Sequence, residues 1–192
     1  MTKLFLIAFS AIIVENYLLV RTIGVCPFLG VSRKTETAVG MGIAVTFTIT
    51  LASAMTWALY TFVLSVYHLE YMQTVTFILV IAALVQFVEM ALKKLVPVLY
   101  SALGIYLPLI TTNCVVLGAT IDCISRNFNF IETVIYGFSA GVGFLLAIVL
   151  FSGLRERIAH NEIPLPFRGL PILLISASLL ALIFTGFAGL SL

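Results

Sequence analysis

The fold is decided by long apolar runs, of which the clearest is Ile131-Glu-Thr-Val-Ile-Tyr-Gly-Phe-Ser-Ala-Gly-Val-Gly-Phe-Leu-Leu-Ala-Ile-Val-Leu-Phe-Ser-Gly153. Glu132 is its single charged side chain. A helix of this length spans roughly 35 Å, enough to cross the ~30 Å hydrocarbon core of a bilayer. Because backbone groups in lipid must be satisfied within their own segment, we expect this run to form a transmembrane helix.

Comparable runs recur along the whole chain, from residue 4 past 20 and at about 38–64, 71–92, 95–121 and 170–191. The 192 residues are 62% hydrophobic and 9% charged, with a mean hydropathy of +1.21. Soluble domains have about 25% charged residues, so a soluble fold is excluded. The net charge of +2 includes no basic cluster that would track nucleic acid. We predict one all-α integral membrane domain over 1–192, with six transmembrane helices and no room for an extramembrane catalytic domain.

The distribution of Lys and Arg predicts the orientation, because cytoplasmic loops retain positive charge. The first apolar run has no small-residue cleavage site and is therefore counted as a spanning segment. The side that holds the 1–2, 3–4 and 5–6 connections has eight of these residues: Arg21, Arg33, Lys34, Lys93, Lys94, Arg155, Arg157 and Arg168. The other side has Lys3 and Arg126. Both termini are therefore predicted to lie outside the cytoplasm.

Two short motifs indicate an internal repeat. Cys26-Pro-Phe-Leu-Gly-Val31 and Cys114-Val-Val-Leu-Gly-Ala119 share a Cys-x-x-Leu-Gly frame at the end of the first segment of each half. Glu-Thr pairs at Glu36 and Glu132 then open the second segment of each half. Repeats of three crossings, 1–94 and 95–192, must enter the membrane from opposite sides, which predicts an inverted-repeat architecture.

The first segment of each repeat is predicted to break into half-helices. Leu4 to Val31 is longer than the hydrocarbon core requires, and Gly and Pro weaken helices. The candidate breaking residues are Gly24, Pro27 and Gly30 in the first repeat, and Gly104, Pro108, Asn113 and Gly118 in the second. Irregular backbone at membrane depth persists only where it is buried in protein or lines a site.

Cys26 and Cys114 are the candidate ligands of a cofactor or metal, because the repeat places them on opposite sides of the pseudo-two-fold axis. Such a pair of thiols could form a disulfide, bind a soft metal ion, or supply half the ligands of an iron–sulfur cluster. We expect both to be buried. Cys123 has no counterpart in the first repeat, is predicted to lie in an outer loop, and is interpreted as incidental.

Glu15 and Asn16 are candidate ion-coupling residues, since polar groups inside a membrane segment are costly and by default suggest function. A polar contact with another polypeptide is the alternative. Arg21 is interpreted as an interfacial anchor. Two other functions stay open at this point: a secondary transporter, which also uses inverted repeats with broken helices, and a thiol–disulfide relay, which would need exposed thiols.

Several longer motifs resemble the A-type members of the Rnf electron-transport complex, whose close relatives are the E-type members of the sodium-translocating NADH:quinone reductase. They are Gly24 to Ser32, Arg33 to Gly42, Gln86 to Met90, Leu107 to Gly118, Ser152 to Arg157 and Pro166 to Gly169. The similarity extends over essentially the whole chain. Glu15-Asn16 departs from the two asparagines usual in the Rnf pattern and matches the quinone-reductase one, so a quinone-reductase subunit is the alternative.

The resemblance implies an inner-membrane subunit that shares a [2Fe–2S] cluster with a homologous, oppositely inserted E-type sister subunit. Cys26 and Cys114 would be two of its four ligands. Electrons would cross the membrane between flavin- and iron–sulfur-bearing subunits, the B, C, D and G types, and would be coupled to Na⁺ or H⁺ movement. No residue set in this chain is expected to hold flavin or NAD directly.

Overall fold

A computed structural model of the chain describes residues 2–67, 70–95, 110, 113–162 and 164–189. Regular structure in these ranges is helical throughout. Helix α1 covers Thr2–Phe9 and continues as a π-helical turn over Ser10–Val14; α2 covers Val25–Val31; α3 covers Thr35–Leu59 and continues through Tyr60–Leu64 and Ser65–Tyr67; α4 covers Gln73–Leu95 after a 3₁₀ turn over Glu70–Met72; α5 covers Cys114–Ser125; α6 covers Phe130–Ala159; and α7 covers Leu170–Thr185, between 3₁₀ turns at Leu165–Phe167 and Gly186–Gly189.

Three of the described helical stretches are long and apolar enough to cross a membrane: Thr35–Leu64, Gln73–Met90 and Phe130–Ala159. Three shorter apolar helices, Lys3–Val14, Cys114–Ser125 and Leu170–Thr185, accompany them. The prediction of an all-α fold is therefore confirmed for the described residues, and the length and composition of these helices fit a membrane protein. The candidate breaking residues Gly104 and Pro108 lie outside the described residues.

The antiparallel pair α3 and α6 forms the centre of the fold. Val45, Ile49 and Phe144 are fully buried along their shared face. A Cβ on Gly141 would lie 2.6 Å from Cα of Thr46, which shows how closely the two backbones approach. Small residues at such crossings are typical of helix packing in lipid, where close contact replaces the hydrophobic driving force.

Helix α1 packs on α6 rather than on its sequence neighbours. Lys3 forms an ion pair with Glu132 at 2.7 Å, near the first turn of α6. About three turns further along α6, the backbone of Ile12 lies against Gly143, where a Cβ would come within 3.2 Å of it. The N-terminal helix is thus built into the core of the second half of the chain.

Helix α2 is fixed against the opposite end of α6. The rings of Phe28 and Phe151 stack with centroids 4.1 Å apart. Arg155 donates to the carbonyl of Leu29 and to the hydroxyl of Ser32, both at 3.0 Å. A cation at the C-terminal end of a helix satisfies carbonyls that have no partner within the helix.

The two ends of the α3–α6 pair can be told apart by their polar contacts. At one end, the indole of Trp57 donates to the carbonyl of Phe128 at 2.9 Å. At the other end, the backbone amide of Thr35 donates to Glu156 at 3.0 Å. We call these the Trp57 end and the Thr35 end.

The assignment of Arg21 to the same side as Arg33 and Lys34 is wrong. Arg21 pairs with Asp122 and Glu15, and Glu15 also pairs with Arg126. The chain turns back between α1 and α2, so residue 21 lies in the half of the bundle that contains Arg126, at the Trp57 end. The predicted distribution of Lys and Arg becomes seven against three, which leaves the direction of the asymmetry unchanged.

Candidate functional site

The predicted break in the first segment is a folded loop, residues 15–24, between α1 and α2. Asn16 organises it and is fully buried. Its side-chain amide donates to the carbonyls of Ile12 and Gly143 at 3.0 and 2.9 Å, and its side-chain oxygen accepts from the amides of Leu18 and Leu19. One side chain thereby bonds to four backbone groups at the break, where the regular helical pattern is interrupted.

The end of this loop has an unusual backbone. Thr22 and Gly24 both have positive φ, of 54° and 85°. A β-branched residue in this region is rare and costs roughly 1–3 kcal/mol, so the surrounding contacts must hold it in place. The left-handed turn redirects the chain so that α2 starts at Val25, immediately before Cys26.

Pro27 and Gly30 do not break the segment as predicted, since both lie inside α2. Pro27 is in the first turn, where a missing backbone donor removes no helical hydrogen bond. Gly118 is likewise inside α5. Of the candidate breaking residues that the structure describes, Gly24 and Asn113 are the two that stand at helix starts.

Cys114 is the first residue of α5, and Asn113 is its N-cap. The side-chain oxygen of Asn113 accepts from the amide of Val115 at 3.1 Å. This is the ordinary N-cap bond, and it satisfies one of the amides that have no partner in the first turn. Both motif cysteines therefore lie in the first turn of a helix that begins within the bundle.

The two helix starts touch each other. A Cβ on Gly24 would overlap Cγ2 of Val115 and would lie 3.1 Å from Oδ1 of Asn113. The N-terminal ends of α2 and α5 therefore meet, with Cys26 and Cys114 one or two residues from the contact. Helix N-termini carry partial positive charge and stabilise anions, which suits thiolates and a negatively charged group bound by them.

Both thiols are exposed on the surface of this chain, so the expectation that they are buried is wrong. The sequence pattern correctly placed them beside the breaks. It could not show that the breaks lie on a face that the described part of the chain leaves uncovered.

The two thiols suit a shared iron–sulfur cluster, and the described ranges hold no complete metal site of their own. Within the described ranges, no group of three or more His, Cys, Asp or Glu residues could hold a metal ion. The two thiols would supply two of the four cysteine ligands that a [2Fe–2S] cluster requires, and thiolates are the soft ligands that iron–sulfur clusters bind. Gly24, where a Cβ would meet the opposite helix start, allows the close approach that two neighbouring ligands need.

A charged and hydrogen-bonded cluster lies between the loop and α5, formed by Glu15, Tyr17, Arg21, Asp122, Arg126 and Tyr136. The hydroxyl of Tyr17 donates to Asp122 at 2.5 Å and lies 2.7 Å from that of Tyr136. Arg21 pairs with Asp122, and Arg126 pairs with Glu15. The four charged side chains are 21% to 35% exposed and their formal charges cancel.

Asp122, Tyr17 and Tyr136 belong to this cluster although no sequence pattern predicted them. The available signal was Asp122 itself, a lone acid in an apolar segment, since such an acid requires a counter-charge. Cys123 was misplaced in an outer loop. It lies in α5, is buried, and its thiol is 4.0 Å from the carbonyl of Thr133, as expected for a packing residue.

The fold and site define a helical membrane protein that presents two thiols at opposed helix starts. Residues 4–191 match the family of Rnf-Nqr subunits, which are membrane proteins. The chain belongs to this family.

Similar proteins cover its whole length. The A-type subunit of the ion-translocating oxidoreductase complex of Syntrophotalea carbinolica is 57% identical over 190 residues, 99% of this chain and 98% of that protein. Its namesake from Aliivibrio fischeri is 52% identical over the same shares of the two chains. The A-type subunit of the Na⁺-translocating ferredoxin:NAD⁺ oxidoreductase complex of Acetobacterium woodii is 55% identical over 192 residues, all of both chains.

Proposed function

We propose that this chain is the A-type membrane subunit of an ion-translocating oxidoreductase complex, and that Cys26 and Cys114 hold one half of a [2Fe–2S] cluster. The observation that carries the proposal is the contact between the starts of α2 and α5, beside which both thiols are exposed. The names of the relatives from Syntrophotalea and Acetobacterium support the choice of complex.

The remaining two ligands come from a second polypeptide, a homologous sister subunit that covers the exposed thiols. An iron–sulfur cluster that faced lipid would be costly because it is charged, and two ligands do not hold such a cluster alone. When bound, the cluster accepts and releases one electron. The B, C, D and G subunit types are the further partners, and the bacterial inner membrane is the location.

The order of the described elements supports the inverted repeat with six crossings. In both halves a short helix that begins inside the bundle with a cysteine in its first turn (α2, α5) precedes a long helix (α3, α6) and a third apolar helix (α4, α7). The long helices are antiparallel, as a two-fold axis in the membrane plane requires. With the Lys and Arg asymmetry this gives an arrangement in which both termini are periplasmic.

The chain's own part in electron transfer is to present two thiolates at the positive ends of two helices. Each added electron increases negative charge in a medium of low dielectric constant, so cation uptake should accompany reduction. The coupling ion is Na⁺ or H⁺. The sodium-translocating name of the Acetobacterium relative supports Na⁺.

Glu15 remains the candidate for ion coupling in this chain, because it bonds to both arginines in the cluster beside the loop that leads to Cys26. Asn16 is a positioning residue: its side chain bonds to the carbonyl of Gly143 and to the amide of Leu18, and so fixes the loop that carries Glu15. Glu15→Gln should then alter the ion dependence of electron transfer while the [2Fe–2S] cluster is retained. Unchanged ion dependence in an assembled complex would remove Glu15 from the ion pathway.

The decisive experiment is electron paramagnetic resonance of the dithionite-reduced, purified complex, comparing wild type with Cys26→Ser and Cys114→Ser. Each variant should lose one [2Fe–2S] signal while the other centres persist. Cys123→Ser is the matched control, since Cys123 is buried in the same helix as Cys114, and it should retain every signal. Persistence of all signals in an assembled Cys114→Ser complex would refute the proposal.

The same variants separate the two alternative functions. A secondary transporter would bind no iron at these thiols. A thiol–disulfide relay would keep them accessible in the assembled complex, and exposure in this chain makes that alternative testable. Under our proposal, a maleimide should label Cys26 in the separated chain and fail to label it in the intact complex.

A further inference from the structure

Asn113 carries a buried hydrogen-bond donor for which the described part of the chain offers no acceptor. Asn113 is 4% exposed. Its side-chain oxygen caps α5 by accepting from Val115, while its Nδ2 has no hydrogen-bond partner among the described residues. A buried amide donor left unpaired costs about 1–3 kcal/mol, so such an atom requires an explanation.

The position of this donor is specific. Asn113 immediately precedes Cys114, and its side chain also lies beside Gly24, two residues before Cys26. The amide is therefore at the junction of the two helix starts that present the thiols. The corresponding helix start in the first half has Val25 before its cysteine and no side-chain cap, so the donor is present on one side of the junction only.

We infer that the Asn113 side-chain amide donates a hydrogen bond to a sulfur of the group held by Cys26 and Cys114, and so sets its reduction potential. The inference rests on the proposed function. Hydrogen bonds to the sulfurs are one of the principal determinants of iron–sulfur potentials. The reduced state carries one more negative charge, which the donor stabilises more than the oxidised state, so the bond raises the potential.

The capping role and the donor role can be separated by substitution. Asn113→Ser keeps an oxygen that caps the helix and removes the amide. Asn113→Asp also keeps a capping oxygen, removes the donor, and adds a negative charge. The midpoint potential of the [2Fe–2S] signal, titrated in the purified complex, should therefore shift to more negative values in Asn113→Ser and further in Asn113→Asp.

Ser53→Ala is the matched control. The hydroxyl of Ser53 is also buried with no partner among the described residues, but it lies in α3 against Gly137. Removing it should leave the potential unchanged. A shift in this control equal to that in Asn113→Ser would attribute the effect to general loosening of the bundle and overturn the inference.

A spectroscopic measurement tests the bond without substitution. Wild-type complex labelled with ¹⁵N-asparagine should show a weak ¹⁵N coupling to the reduced cluster in pulsed paramagnetic resonance, and Asn113→Ser should lose it. Absence of that coupling, or an unshifted potential in both Asn113 variants, would overturn the inference. The proposed function would then still stand if the [2Fe–2S] signal depended on Cys26 and Cys114. A signal that was independent of both cysteines would refute the proposed function itself.

Discussion

Tyr17 donates a 2.5 Å hydrogen bond to Asp122, which joins the loop that leads to Cys26 to the helix that begins with Cys114. Arg21, four residues after Tyr17, pairs with the same carboxylate oxygen. Asp122 thus holds the loop at two points. The relative position of the two cysteine-bearing helix starts depends on this one carboxylate as well as on the contact between Gly24 and Val115.

Asp122→Asn should therefore destabilise the protein. The change removes the charge that Arg21 faces and weakens the bond from Tyr17, at a cost of about 1–2 kcal/mol for partly exposed charged hydrogen bonds. Thermal unfolding of the purified protein in detergent measures the effect.

Tyr136→Phe is the control for that change. It removes a hydroxyl that lies 2.7 Å from that of Tyr17 and makes only a long, 3.5 Å bond to Asp122. Tyr17 keeps its 2.5 Å bond to Asp122, so the loss should be below about 1 kcal/mol. Equal losses in the two variants would contradict the central role of Asp122.

Gly24→Ala should be severely destabilising. Its φ of 85° is unfavourable for any residue with a Cβ, and that Cβ would overlap Val115. Left-handed backbone and overpacking together suggest about 2–4 kcal/mol. Under the proposed function, the [2Fe–2S] signal of the assembled complex should fall together with the unfolding temperature.

Gly40→Ala is the matched comparison, because no atom of the described residues lies within 4 Å of the added carbon and the residue is inside α3. This change should stabilise the protein by about 0.5–1 kcal/mol. A milder effect at Gly24 than at Gly40 would show that the contact between the helix starts is not tight.

Gly141→Ala should separate the central helices. The added carbon would lie 2.6 Å from Cα of Thr46, so the α3 backbone itself must move, at a cost of about 1–3 kcal/mol. Gly153→Ala, on the same helix, adds a carbon with no neighbour within 4 Å in the described part of the chain and should be neutral or slightly stabilising. Similar unfolding temperatures for both variants would refute close packing at this crossing.

Glu15 and Arg126 should show a modest coupling free energy. The two side chains are 30% and 35% exposed, which limits the contribution of their ion pair to about 0.5–1 kcal/mol. A double-mutant cycle with Glu15→Gln and Arg126→Gln measures it. Additive single losses would show that the Glu15–Arg126 ion pair contributes nothing measurable to stability.

Much of the fold could be predicted because lipid leaves few alternatives. Apolar length alone located α3, α4 and α6, and the shared Cys-x-x-Leu-Gly frame located both cysteine-bearing helix starts. The position of Arg21 could not be predicted from loop counting, since the chain turns back between α1 and α2. Counting assumes that a segment continues in one direction.

The sequence could predict that both motif cysteines lie beside helix starts, but it could not predict the contacts that hold those helix starts together. Asp122 meets Tyr17 across 105 positions of sequence, and no local pattern specifies such a pairing. Asn113 was recognised as a helix breaker, but its role as a cap depends on where α5 begins. The exposure of Cys26 and Cys114 depends on which faces the other helices cover, and that is a property of the whole bundle.

The packing of α1 on α6 has a consequence for biosynthesis. Asn16 bonds to the carbonyl of Gly143, and Lys3 pairs with Glu132. Residues 2–24 therefore cannot reach their native contacts until the ribosome has synthesised most of the chain. The first helix enters the bilayer early and completes its packing late. The N-terminal segment of the nascent protein should therefore need protection during translation. A truncated chain that ends before α6 should be degraded rather than accumulate in the membrane.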